Sequence, residues 1–425
     1  MWSLFSYVFL VGLFSNHLYF PVLLFFLFNA YESILSYSFY CSHLSFWLIL
    51  ITLYVGASLK FLGFASSNLS EGLFMLSLNC LVLYFLSNSG VLFYIFFELS
   101  VVPLFFIVYY NGYTPERLGA IYYLLVYGLI GGIPLLAAIV MSVGGVTWGS
   151  WVYLSSFTLF MELDSLYLVG LGFMLAFLIK MSAVGFHLWL PKVHVEAPTS
   201  GSILLAAILL KLGLYGFVVF NVSLSWWNSL FCLVAGFFII FTLLVNCLCY
   251  VMPDSKVFIA YNSVAHMSLI ILLCFFLSSG SEEAVIAVGV AHAFVSSSLF
   301  CLVGSWGDKS GSRSLFLFKS LFFLSSIVCV VFCVSIFFNC STPPSFNFQG
   351  ELLLVAGLMY YLGGLVSPLV VLNVFLSGLL SLYFYVTLVH GKLNLGGVST
   401  LELNKSIAVF LNCVWGGALL YFSVF

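Results

Sequence analysis

This sequence predicts an all-α polytopic membrane protein of about 14 transmembrane helices, and three observations carry that expectation. Hydrophobic residues make up 64% of the 425 positions and charged ones 6%, against about 25% charged in an ordinary soluble domain. The mean hydropathy of +1.24 means more apolar surface than a single core of this length buries, so lipid must solvate much of it. Nearly all Lys and Arg, 11 in total, fall between apolar runs rather than within them. A secreted or cytosolic globule is excluded by this composition. Nucleic acid is excluded as a partner by the net charge of -2 and the lack of any basic run.

With Pro, Gly, Ser, Asn and charges as punctuation, the chain divides into candidate spans near 2–15, 18–36, 44–64, 73–88, 91–110, 118–142 and 166–187. Further spans follow near 198–220, 227–249, 256–278, 283–304, 317–338 with its continuation 346–362, 366–390 and 405–424. The first is short. Lys60, Arg117, Lys192, Lys256, Lys309, Arg313, Lys319, Lys392 and Lys405 all fall in or beside odd-numbered loops, whereas the even loops hold Glu162, Asp164, Glu282 and Glu283. By the positive-inside rule the odd loops face the cytoplasm-like side. The first 14 residues are apolar, with no basic flank and no small-residue cleavage site, so they do not read as a presequence. The 11 cysteines lie singly in apolar stretches without metal-ligand spacing and read as small hydrophobes.

Ionisable groups inside the spans are the first functional candidates, because a charge at the bilayer centre costs about 2.5–3.5 kcal/mol on insertion scales. Glu98 falls in the fifth span, Lys180 in the seventh, Lys211 in the eighth and Glu351 in the continued twelfth. His187, His194, His266 and His292 join them, since histidine exchanges protons near neutrality. His187 falls two turns after Lys180, on the same face if the helix continues. A row of such groups on inner faces reads as a proton path.

Helix breakers give the second clue. HLWLPKVHVEAPTSGS carries Pro191 and Pro198, and STPPSFNFQGE carries Pro343 and Pro344, each within apolar sequence. Pro191 and Pro343 are 152 residues apart, and the apolar starts near 74 and 226 differ by the same interval. Interrupted helices at corresponding places mark inverted repeats of transporters. The expected organisation is therefore 1–72 as N-terminal helices, 73–220 and 226–390 as two inverted repeats, and 391–425 as a C-terminal helix. No Rossmann or Walker motif occurs, and no histidine pair has haem spacing. No cofactor or metal is expected on this chain.

The run KMSAVGFHLWLPKVHVEAPTSGSILLAAILLKLGLYG, Lys180 to Gly216, resembles the signature of the subunit 4 family of NADH:ubiquinone oxidoreductase, the antiporter-like subunits of respiratory complex I. FELSVVPLF around Glu98, DSKVFIAYNSVAHMSLI, AHAFVSSSLFCLVG and PPSFNFQGEL extend the resemblance over positions 94 to 352. The sister subunit 5 family resembles HSWLPDAMEGP where this chain reads HLWLPKVHVEAP. Asn262 stands where that family usually has serine and Ala293 where it usually has glycine, and the N-terminal quarter matches weakly.

The resemblance implies two inverted five-helix repeats with broken seventh and twelfth helices. It implies that Glu98 pairs with Lys180, that Lys211 and His292 relay protons, and that Glu351 is the terminal carboxylate. It also implies partners: the other membrane-arm subunits of complex I, with NADH, FMN, iron–sulfur clusters and ubiquinone bound elsewhere. High Phe and Tyr content without a presequence points to the mitochondrial inner membrane.

A Glu98 to Lys180 pair at 4 Å and an effective dielectric of 20 would be worth about 4 kcal/mol. Moving one charge against ~200 mV costs about 4.6 kcal/mol, so an electrostatic switch of that size is adequate for one proton. The rival reading is a self-standing or Mrp-type cation/proton antiporter. An inert membrane spacer is disfavoured by the midplane charges.

Overall fold

The computed structural model describes residues 34–36, 39–62, 68–112, 114–143, 163–221, 228–275, 279–315, 326–362 and 367–390. The spans expected at 2–15 and 405–424 and most of 18–36 lie outside these residues. A short antiparallel ribbon, β1 (Ile34–Ser36) with β2 (Phe39–Tyr40), stands at the end of the second expected span, a local exception to the all-α expectation.

The remainder is helical. Before the long break come α1 (His43–Phe61), α2 (Asn68–Leu86), α3 (Gly90–Leu99), α4 (Val101–Asn111), α5 (Arg117–Val143) and α6 (Leu163–Lys180). Next are α7 (Trp189–Glu196), then α8 (Thr199–Leu204) running through a π-helical turn (Leu205–Leu209) into α9 (Leu210–Asn221). The last are α10 (Asn228–Val251), α11 (Ser255–Cys274), α12 (Ser279–Ser310), α13 (Ser326–Asn339), α14 (Phe346–Leu362) and α15 (Ser367–Val389). Among the described residues, 8 helices are long and apolar enough to cross a membrane, with shorter apolar helices at Tyr167–Lys180, Ala235–Val251 and Val328–Asn339.

Local chemistry explains the boundaries. Ser42 and Ser45 cap α1 reciprocally, each backbone N–H donating to the other's hydroxyl at 2.8 and 3.2 Å. Pro103 lacks an N–H and its ring crowds the carbonyl four residues back, so the fifth span divides at Ser100 into α3 and α4. The seventh span breaks earlier than its prolines predict. After Lys180 the chain turns through Ser182 (φ 54°) and Gly185 (φ 104°), the second a conformation that suits glycine, while Pro191 fits the first turn of α7. Pro198 is the residue that parts α7 from α8. In the second break, Ser341 (φ 55°), Pro343 and Pro344 separate α13 from α14, as expected.

Two compact units result. The first comprises Met1–Met181 with Ile208–Trp227, and its core is aromatic. Tyr84 and Phe85 of α2, Phe93 and Phe97 of α3, Phe173 and Phe177 of α6, and Phe217 and Phe220 of α9 are almost completely buried. Phe173 stacks on Phe220 at 4.0 Å, and the Tyr84 hydroxyl donates to the Leu212 carbonyl at 2.8 Å. Helices α9 and α6 approach closely because Gly213 and Gly216 carry no side chain: a Cβ at Gly213 would lie 2.9 Å from Met181 N, and one at Gly216 would meet the Phe177 ring.

The second unit comprises Ser182–Ala207 with Asn228–Phe425, built around α11 and α12. The apolar windows of these two helices are 89% and 94% buried, against 33% for α15 at the edge of the same unit. Buried Asn246 of α10 donates to Asn373 of α15 at 3.3 Å, and Asn373 donates to the Ile239 carbonyl at 3.1 Å, an amide clasp between helices. The serine run of α12 needs no outside partner: Ser296, Ser297 and Ser298 each donate to the carbonyl three residues back.

Candidate functional site

In the first unit, Glu98 lies in the last turn of α3 and Lys180 ends α6. Lys180 is 7% exposed. Its ammonium sits over the face of Phe97, 4.4 Å from the ring centroid, a cation–π contact in a desolvated site. Glu98 acts on it electrostatically, but among the described residues the two form no ion pair within 4 Å, a correction to the direct pair expected from the sequence. Oε1 of Glu98 is buried without a hydrogen-bond partner. The arrangement is a carboxylate and an ammonium separated by less than full contact, with an aromatic ring taking one face of the cation. Lys211 of α9 is 1% exposed and stands one residue beyond Leu210, the first residue after the π-helical turn. A π-turn shifts the register of the helix beyond it, so it sets the direction in which Lys211 projects.

In the second unit the groups touch. Nδ1 of His266 lies 3.5 Å from Oε1 of Glu351, with both side chains less than a tenth exposed. Asn347, one turn before Glu351 on α14, donates to the same oxygen at 3.0 Å and to the Ser341 hydroxyl at 2.7 Å. The rings of His266 and His292 are 6.1 Å apart. Nε2 of His266 has no hydrogen-bond partner. This order, His292, His266, Glu351, then Asn347 and Ser341 at the helix break, joins α12, α11 and α14. His266, given only a supporting place by the sequence, sits at its centre.

The other two histidines are elsewhere. His187 is half-buried in the turn after Lys180, where Nδ1 accepts from the Gly185 N–H at 3.3 Å and the ring meets Tyr261. Because α6 stops at Lys180, the shared helical face expected for Lys180 and His187 does not exist. His194 on α7 is fully buried, stacked on Phe300 of α12 at 4.5 Å, and neither ring nitrogen has a partner.

Close to His194 is a set of charges that sequence reasoning missed. Lys256, which the sequence places beside a loop at the very start of the span 256–278, is 4% exposed in the first turn of α11. Its ammonium donates to the carbonyl of Ala197, where α7 ends, at 3.0 Å. Arg313 approaches Glu196 at 3.7 Å, and Glu196, Asp308 and Arg313 all act electrostatically on Lys256. A cation at a helix C-terminus completes its free carbonyls. The backbone of Arg313 is itself held by Ser255, whose N–H and hydroxyl both bond its carbonyl. One signal was available: a lysine in the first turn of its own helix opposes the dipole and calls for a partner.

Titratable groups buried at interrupted helices of a polytopic helical protein are the construction of ion-translocating membrane proteins. The chain belongs to the NADH:quinone oxidoreductase/Mrp antiporter transmembrane family, whose model matches residues 87–377. It is 37% identical over 314 residues to the NADH-ubiquinone oxidoreductase chain 4 of Artemia franciscana, covering 73% of this chain and 78% of that relative. The corresponding chain of Ceratitis capitata is 36% identical over 360 residues, covering 82% and 77%. In fold the chain is similar to one in respiratory complex I from Thermus thermophilus, with a TM-score of 0.81 at 22% identity over 91% of this chain and 83% of that one. A chain of the Mrp complex from Dietzia sp. gives a TM-score of 0.76 at 20% identity, covering 88% of this chain but 42% of that one.

Proposed function

We propose that this chain is a proton-translocating membrane-arm subunit of an NADH:ubiquinone oxidoreductase, and that its two sets of buried groups carry the protons. The observation that carries this reading is the placement of Lys180 and of the His266–Glu351 contact, each beside a break in a helix. Glu98 and Lys180 form the switch: a charge held without direct contact responds to small movements of either helix, since its energy varies with distance and local dielectric. Lys211, His292 and His266 pass protons onward, and Glu351 receives them near the second break. The two inverted repeats, 73–220 and 226–390, are part of this reading.

Redox chemistry on NADH, FMN, iron–sulfur clusters and ubiquinone belongs to partner subunits, and this chain's residues only bind, hold and release protons. The membrane is the mitochondrial inner membrane, with the odd loops on the matrix side. A tag between Thr147 and Glu162 is then reached from the intermembrane side and one between Ser305 and Arg313 is not; access to both from one face overturns this orientation.

An Mrp-type antiporter shares the fold and the family. The identity of 36 to 37% to oxidoreductase chain 4, over most of both chains, favours the redox-driven reading. Lys211 decides between them. In assembled enzyme, Lys211→Ala lowers NADH-driven proton pumping and quinone reduction together. Lys211→Arg does the same, because guanidinium keeps its proton. Sodium- or potassium-driven proton flux by the chain alone, with NADH oxidation indifferent to both variants, establishes the antiporter instead.

A further inference from the structure

Helix α5 contains adjacent glycines that face two different neighbours. A Cβ on Gly131 would lie 3.5 Å from Cα of Ala176 and 3.6 Å from its carbonyl oxygen, an ordinary contact that places this position against α6. Gly172 of α6 returns the contact: a Cβ there would lie 2.7 Å from the Pro134 carbonyl and 3.0 Å from Cβ of Ala138. Backbone packed on backbone leaves α5 no freedom to retreat on that side.

Gly132 has a different neighbour. A Cβ built there would collide with Oε1 of Glu98 and lie 3.0 Å from its carboxyl carbon. The carboxylate therefore rests directly on the backbone of α5. Oε1 has no hydrogen-bond donor, and a helical glycine offers it only Cα–H groups. The oxygen is held by shape rather than by a donor. Glu98 acts electrostatically on Lys180 and Tyr94, and no hydrogen bond at Oε1 fixes the direction of the carboxylate. Gly119 and Gly128, on the same helix, have nothing within 4 Å of an added Cβ, and Gly131 has only ordinary contacts, so close approach among the glycines of α5 is specific to Gly132.

We propose that Gly132 is a positioning residue of the proton switch: the missing side chain forms the slot that aims the Glu98 carboxylate, and α6 behind Gly131 keeps that slot from opening. The inference rests on the reading of Glu98 as a proton-handling group. A methyl at position 132 pushes the carboxylate away from α5 and changes its separation from Lys180, while leaving every charge in place.

The test uses assembled enzyme in membrane vesicles and compares NADH-driven proton pumping across five variants. Gly132→Ala lowers pumping about tenfold, equivalent to ~1.4 kcal/mol. Gly128→Ala, in open space, leaves it within about twofold of the parent. The double variant Gly132→Ala with Glu98→Asp, whose shorter side chain withdraws from the added methyl, returns to the level of Glu98→Asp alone. Glu98→Gln separates the two layers of argument. If it pumps normally, the reading of Glu98 fails whatever Gly132 does; if it is impaired while Gly132→Ala matches Gly128→Ala, the slot is overturned. Should Gly132→Ala fail to assemble, recovery by Glu98→Asp supports the slot, and lack of recovery assigns the defect to helix packing and overturns it.

Discussion

The two units hold their ionisable groups in opposite ways. In the first, the Lys180 ammonium rests on an aromatic face, and its carboxylate is coupled through space with one oxygen unbonded. In the second, the Glu351 carboxylate is contacted directly by an imidazole and held by an amide, which is itself tied to a serine at the helix break. The first arrangement is largely buried and adjustable: its energy changes smoothly with distance, and no hydrogen bond at Glu98 Oε1 has to break for it to change. The second is fixed by geometry, with defined contacts of the kind that suit proton delivery. A switch and a delivery site need those respective properties, so the contrast accords with the roles assigned to Glu98 and Lys180 on one side and to His266 and Glu351 on the other.

The contrast extends to the charges outside the proton path, where the largest effect is expected. Lys60 of α1 pairs with Glu71 of α2 at 3.5 Å, with the two side chains 35% and 46% exposed. Lys256 is itself buried, bonds the end of α7 and is acted on electrostatically by Arg313, Asp308 and Glu196. Removing one member of a buried charge set costs about 3–5 kcal/mol, whereas an exposed pair is worth roughly 0–1 kcal/mol. Lys256→Met should therefore sharply reduce the amount of assembled enzyme, and Lys60→Met should leave it near normal. Native-gel quantification of the complex checks both. Equal abundance of the two variants would show that Lys256 is not the strut that fixes α7 to α11.

The apolar spans were legible because lipid demands long uninterrupted runs, and most described helices between 43 and 389 begin and end within a few residues of the expected spans, except that α6 stops at Lys180 where the span reaches 187 and α12 runs on to Ser310 beyond 304. Glu98, Lys180, Lys211 and Glu351 were legible for the same reason: a charge stands out in an apolar run. Lys256 was not, since a lysine at the first position of a span, beside Pro253 and Asp254, reads as reaching water at the membrane surface, and only tertiary packing buries it. The π-turn at Leu205–Leu209 has the sequence LAAIL, which is good α-helix by propensity and gives no warning of a register shift. Phe97 was hidden by abundance. In a chain with 48 phenylalanines no local pattern marks the one beneath an ammonium. The first helix break was sought at prolines, but Pro191 tolerates the start of α7 and Gly185 supplies the turn.

The smallest expected effects test the contrast most directly, because they alter the support of each charge and not the charge itself. Asn347→Leu removes a donor to Glu351 at similar volume. A hydrogen bond to a charged group contributes about 1.5–3 kcal/mol, so NADH-driven pumping should fall by about tenfold to a hundredfold. Phe97→Leu keeps an apolar side chain beneath Lys180 but deletes the ring face that attracts the ammonium. The cation–π contribution runs from about 0.5 to 2 kcal/mol, which predicts a loss of roughly twofold to thirtyfold. Phe97 also touches Tyr84, Phe93 and Phe177, so the amount of assembled enzyme must be measured alongside pumping. Phe97→Tyr, which retains the ring, separates lost packing from lost cation–π attraction: it should pump better than Phe97→Leu at equal assembly. If Phe97→Leu proves harmless while Asn347→Leu is severe, the first unit holds Lys180 by Glu98 and burial alone. A larger loss from Phe97→Leu than from Asn347→Leu would reverse the assignment of the firmer hold to the second unit.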